Sequence, residues 1–209
     1  SRHIVLVGDS ILDNAAYVGG DPAVAEQLRD AIPADWRVTL AAVDGASAAD
    51  VASQLDQVDA TATHLIVSAG GNDALNWSGV LGARVTTVAE AEQLVAQAQA
   101  RFSADYEEMA TRVLRLGLPA VFCTVYDAIP GLDDAARVAL SAFNDVILRT
   151  AFRNRAAVID LRLVCDEAAD YSSVSPIEPS ARGGAKIARV IAEVVRHHAF
   201  GGAHTVVFP

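Results

Sequence analysis

No stretch of the 209-residue chain approaches the roughly 18 uninterrupted apolar residues that a membrane-spanning helix requires. Cysteine is scarce. Cys123 and Cys165 are the only two, enough for one bridge at most and too few for a disulfide framework. Positive charge is short as well: 16 Lys and Arg stand against 26 Asp and Glu, a net charge of −10. That balance disfavours nucleic acid or an anionic membrane surface as the main partner, because both are reached by displacing counterions with positive charge. No His/Cys group has metal-ligand spacing. Neither a Gly-x-Gly-x-x-Gly after the first apolar run nor a Gly-x-x-x-x-Gly-Lys is present, so no dinucleotide or nucleotide cofactor is implied. The Gly-x-Ser-x-Gly elbow of α/β-hydrolases is missing too. There is no internal repeat, low-complexity tract or Pro/Ser-rich linker, so one domain is expected over residues 1–209, with its core at about 3–198 and a tail at 199–209. Only Ser1-Arg2-His3 precedes the first apolar run, too little for a leader, and a cytoplasmic protein is the expectation.

What the chain has is apolar bulk, with 52% hydrophobic and 20% charged residues, a globular composition. Five short runs rich in β-branched residues recur, at residues 4–7, 37–42, 64–68, 120–125 and 157–161. Runs apolar on both faces fit strands of a parallel sheet covered on both sides. Between them lie segments with helical spacing of apolar residues, at 22–31, 47–55, 87–116, 134–155 and 180–198. Strict alternation of strand and helix predicts an α/β fold, a three-layer α/β/α sandwich around a five-stranded parallel sheet. The tail from Gly201 to Pro209 fits either an edge strand or a surface segment.

Ligands of open parallel sheets bind beyond the carboxyl ends of the strands, and polar residues and glycines concentrate just there. Gly8-Asp9-Ser10 follows the first run, Gly45 the second, Gly70-Gly71-Asn72-Asp73 the third and Tyr126-Asp127 the fourth. Taken singly, Asp9 or Ser10 fits a helix or turn cap, and Asn72 fits a glycine-rich turn. Taken together they supply a hydroxyl and three donors, the Ser10 N–H, the Gly45 N–H and the Asn72 amide. This is an oxyanion-hole set for acyl transfer.

In this order and spacing the chain resembles the SGNH, or GDSL-type, hydrolases. Gly8-Asp9-Ser10 is similar to their first block, Gly45 to their second and Gly70-Gly71-Asn72-Asp73 to their third. The segment from Ser175 to Gly184 is similar to their fifth, and the resemblance runs from Ile4 to about His198. It implies a five-stranded, flavodoxin-like sandwich and hydrolysis of small-molecule carboxylic esters through a serine nucleophile, with no cofactor. The fifth block departs from the family pattern of an Asp and a His three residues apart ahead of a Pro. Aligned on Pro179, Glu178 takes the position of the His and Ser175 that of the Asp.

Glutamate is ordinarily a weaker base than histidine by about two pKa units, and enzymes close such gaps by burying the carboxyl. Glu178 lies among Pro176, Ile177 and Pro179. It is expected to act as the general base, with Ser175 donating a hydrogen bond that orients it. The competing reading makes Glu178 an exposed loop acid or a carboxylate favoured by the dipole of the last helix. No histidine is placed to substitute: His3 and His64 fall at the wrong strand ends, His197 and His198 at the far end of the last helix, and His204 in the tail. Asp9 is expected to brace the serine loop through backbone N–H groups. Asp73, Asp127 and Ser175 are candidates for substrate contact or support, and Asn14 for a helix cap. Two functions follow, an ester hydrolase with an altered base and a catalytically impaired relative that binds an acyl or carboxylate ligand.

Overall fold

A computed structural model describes all 209 residues. Six strands form one wholly parallel sheet: β1 His3–Gly8, β2 Arg37–Leu40, β3 His64–Ser68, β4 Ala120–Cys123, β5 Ala157–Ile159 and β6 Val207–Phe208. Their order across the sheet is β2-β1-β3-β4-β5-β6. Seven helices connect them: α1 Val24–Ala31, α2 Val51–Gln54, α3 Gly71–Trp77, α4 Val88–Arg115, α5 Asp134–Arg153, α6 Leu161–Val164 and α7 Ala181–His197. The sandwich expected from the sequence is therefore present, with one strand more than expected. The sixth comes from the tail, which lies in register beside β5 with Val158 opposite Val207 and Ile159 opposite Phe208.

Strand side chains alternate between faces, and β1 shows how that builds two cores. Ile4 and Leu6 pack with Val24 and Leu28 of α1 and Ile187 and Ile191 of α7. Val5 and Val7 pack on the other face with Val51 of α2, Phe102, Tyr106 and Met109 of α4, and Phe143 and Ile147 of α5. Each face buries large apolar side chains completely, worth roughly 1.5–3 kcal/mol apiece.

Two helices were not legible in the sequence. Both are short: α6 has four residues, and α3 has seven and starts at Gly71, inside what reads as a glycine-rich turn. The expected helix at 47–55 is broken into a 3-10 turn, the four-residue α2 and a second 3-10 turn.

Strand order fixes where a site forms. The chain runs from β1 outward to β2, then crosses back to pair β3 on the other side of β1. At that reversal the loops after β1 and β3 diverge to opposite sides and leave a crevice at the strand ends. Gly8 and Ser68, paired neighbours in the β1–β3 register, end the two strands there.

Candidate active site

Ser10 leaves β1 two residues after Gly8, and the chain must turn sharply to bring it to the crevice. Gly8 makes that turn at φ 134°, where a side chain would place a Cβ 1.8 Å from the Ser68 carbonyl oxygen. Only glycine fits. The amide of the buried Gln54 clamps this strand end, accepting from the Gly8 N–H at 2.7 Å and donating to the Gly8 carbonyl at 2.8 Å. Asp9 braces the next turn, accepting the Ile11 N–H at 3.0 Å.

The Ser10 hydroxyl donates to Glu178 Oε1 at 3.3 Å. This is long for an O–H···O bond, as such bonds commonly are before substrate tightens a site. Both side chains are buried, Glu178 being only 4% exposed, so it is not an exposed loop acid. Its second oxygen, Oε2, has no hydrogen-bond partner.

Four contacts fix the loop that carries Glu178. Tyr126 donates its hydroxyl to the Ile177 carbonyl at 2.6 Å, and the Asn14 amide donates to the Pro179 carbonyl at 3.1 Å. The Ser172 N–H donates to the Glu178 carbonyl at 2.8 Å and the Ser180 N–H to the Asp170 carbonyl at 2.9 Å, the pair that makes the antiparallel bridge of Tyr171 with Pro179. Further along, buried Asp170 pairs with Lys186 at 2.7 Å and with Arg182 at 3.4 Å, fastening the approach to this loop onto α7.

The three donors expected from the sequence can be placed in turn. The Ser10 and Gly45 N–H groups donate to nothing else in the chain. Asn72 spends one amide proton on the Ala46 carbonyl at 2.9 Å, which fixes the side chain and leaves its second proton free. Asp73 accepts the Ala48 N–H at 3.0 Å, so the loop after β2 is tied to α3 at two successive residues. Ser10, Asn72 and Glu178 all line one cleft that is open to solvent, and Asp9 lines it with them. Gly45 is exposed and outside the cleft wall, one residue from the Ala46 contact to Asn72.

Other expected residues stand elsewhere. The Ser175 hydroxyl does not reach Glu178. Instead its carbonyl accepts the Glu178 N–H at 3.2 Å, because the loop turns back there and joins the two backbones. Asp127 is not in the cleft wall, whereas its neighbour Tyr126 is. No histidine lines the cleft. Burial drives the His64 pKa down to about 4 at the opposite strand ends. Cys123 and Cys165 are free and buried, and burial pushes the Cys165 thiol up to about 12.

Sequence reasoning missed Gln54, and it placed Tyr126 at the end of the fourth run without giving it a role. The available signal was a polar group on an otherwise apolar face, one on a helix and one after β4. Asn14, expected as a cap, does accept the first N–H of α1, from Val24 at 2.9 Å. Its second role, holding Pro179 from 165 positions away, has no sequence signal.

The electrostatics are set by buried carboxyls. Desolvation, reinforced by the nearby Asp73 and Glu178, raises Asp9 to about 7 despite the Ile11 N–H. Burial also raises Asp73, against the stabilising Ala48 N–H.

A wholly parallel sheet between helix layers, with a crevice at its strand ends, places the chain in the class of flavodoxin-like α/β/α sandwiches. Residues 6–186 match the model of the GDSL-like lipase/acylhydrolase family, and the chain belongs to that family. No curated protein matches its sequence. Among solved structures it is similar to a lipase from a goat rumen metagenome, with TM-score 0.71 and 16% identity, covering 90% of this chain and 94% of that one. A phospholipase A1 from Streptomyces albidoflavus NA297 gives TM-score 0.65 at 17% identity over 95% and 100% of the two chains. A lipase/acylhydrolase from Enterococcus faecalis gives 0.65 at 20% identity over 92% and 96%. At such identities the likeness is one of fold.

Proposed function

We propose that the chain hydrolyses small-molecule carboxylic esters through a Ser10–Glu178 pair. The observation that carries this reading is the 3.3 Å contact between a buried serine hydroxyl and a buried carboxylate where the family pattern has histidine. Ser10 Oγ attacks the ester carbonyl while its proton passes to Glu178. The Ser10 N–H, the Gly45 N–H and the free Asn72 proton receive the oxyanion. As the tetrahedral intermediate collapses, Glu178 returns the proton to the departing alcohol and an acyl-Ser10 ester remains. Water then attacks that ester and gives a proton to Glu178. The second collapse releases the carboxylic acid and restores the Ser10 hydroxyl. Ser175 supports Glu178 through the backbone alone.

The test is covalent labelling by a fluorophosphonate, read as intact mass between pH 5 and 9. Labelling of the native chain, none of Ser10→Ala, and a loss of about 100-fold or more in labelling rate for Glu178→Gln are expected. Full reactivity of Glu178→Gln would remove Glu178 from the mechanism. The competing reading, a family member that binds an acyl or carboxylate ligand without turnover, draws on the absence of histidine from the cleft. It requires that folded protein take no label at any pH.

A further inference from the structure

The cleft beside Ser10 is polar at one end only. Of its 23 lining residues 17 are hydrophobic, and four of the other six, Asp9, Ser10, Asn72 and Glu178, cluster where a carbonyl would be attacked. Gly71 brings no polar side chain, and Ser78 turns its hydroxyl back onto the Leu75 carbonyl of its own helix turn at 2.7 Å. The Trp77 indole N–H and the Tyr126 hydroxyl, which donates to the Ile177 carbonyl, belong to α3 and to the segment after β4, so along the α4 and α5 walls no side chain offers a hydrogen bond to a ligand.

The far walls come from facing helices. Ala136, Ala139, Leu140 and Phe143 of α5 recur at helical spacing, and Val95 and Ala98 of α4 line the cleft with them. In a closed core such a row would be covered by larger side chains, but here three of the six are alanine, and they leave room. A sugar or other hydroxylated group lodged there would lose its water without gaining a partner, a loss of roughly 1–3 kcal/mol per unpaired group. A methylene gains from the same transfer.

We infer that this cleft holds a straight, unsubstituted aliphatic acyl chain, carbonyl at Ser10 and methyl end between α4 and α5. This makes the preferred substrates medium-chain acyl esters, not acetyl esters. The inference rests on the proposed ester hydrolysis for its orientation, though not for binding itself. Length follows from the wall. Ala136 and Phe143 stand seven residues apart on α5, about 10 Å of helix rise, which matches roughly eight methylenes of extended chain.

The experiment separates binding from chemistry by using Ser10→Ala protein and a series of straight-chain N-methyl alkanamides from two to fourteen carbons. These neutral mimics of methyl esters avoid repulsion by the buried carboxyls. Affinity by calorimetry should rise about fourfold per added methylene, the factor equivalent to about 0.8 kcal/mol, and level off near eight to ten carbons. Ala139→Phe and Val95→Trp, on opposite half-buried walls, should each shorten the length at which the rise stops. The melting temperature of each variant verifies that it is folded. Affinity independent of length, or a break point unmoved in both folded variants, would overturn the inference. A normal length series in a protein whose native form takes no fluorophosphonate would leave the cleft assignment standing and remove the hydrolase reading.

Discussion

At the residue scale, Asp9 couples the site to stability. In the unfolded chain it loses its proton near the ordinary carboxylate value of about 4, whereas in the fold desolvation delays the loss until about 7. Between those values folding takes up a proton, so each rise in pH weakens the fold. Above about 7 the penalty is complete and constant. Summed over the interval it is on the order of 4 kcal/mol. Asn at this position keeps an oxygen for the Ile11 N–H and removes the titration. Thermal melts should therefore show Asp9→Asn gaining on the native chain steadily from pH 4 to 7 and holding its lead above. A difference independent of pH would mean that Asp9 is ionised throughout. Gln54 illustrates the opposite economy, a neutral amide that satisfies both backbone groups of Gly8 and brings no charge with it.

At the scale of elements, Asn14 joins three of them: the loop after β1, the start of α1 and the loop before α7. Asn14→Asp retains an acceptor for the Val24 N–H but opposes a carboxylate to the Pro179 carbonyl in a fully buried place. Loss of about 1–3 kcal/mol of stability is expected, measured as a urea midpoint. A roughly tenfold fall in kcat with KM little changed would show that the contact positions Glu178. Equal kcat would confine Asn14 to a structural role. The strands and the loops that bring Ser10 and Asn72 to the cleft were legible because each signal is local: an apolar run, a glycine, an oxygen or amide just past it. The cleft was not. Its walls are drawn from α3, α4, α5 and the segment after β4, separated by tens of residues, and Leu140 or Phe143 looks the same in sequence whether it faces a void or a neighbour. Ser175 failed for a related reason. Spacing put it at the right position, but the backbone turn that decides where its hydroxyl points has no one-residue signature.

At the scale of the whole molecule, charge governs access. With a net charge of −10 the protein is repelled by a negative surface across roughly a Debye length, about 10 Å at 0.1 M salt. No helix is long and apolar enough to cross a membrane. Hydrolysis of one ester carried on anionic vesicles should therefore speed up as salt rises from about 0.01 to 0.3 M. On neutral micelles the same ester should react at a rate nearly independent of salt. Salt independence on both would show that the face around the cleft carries little of the net charge.

Lys186 is the only lysine of the chain, and its ammonium group is engaged with buried Asp170 just below the loop that holds Glu178. Among the side chains of this sequence, amine-reactive reagents consequently have a single target. The pairing makes Lys186 a built-in reporter. The rate at which it is acylated, relative to a free lysine side chain in solution, measures how often the segment ahead of α7 lets go, with no label engineered into the site.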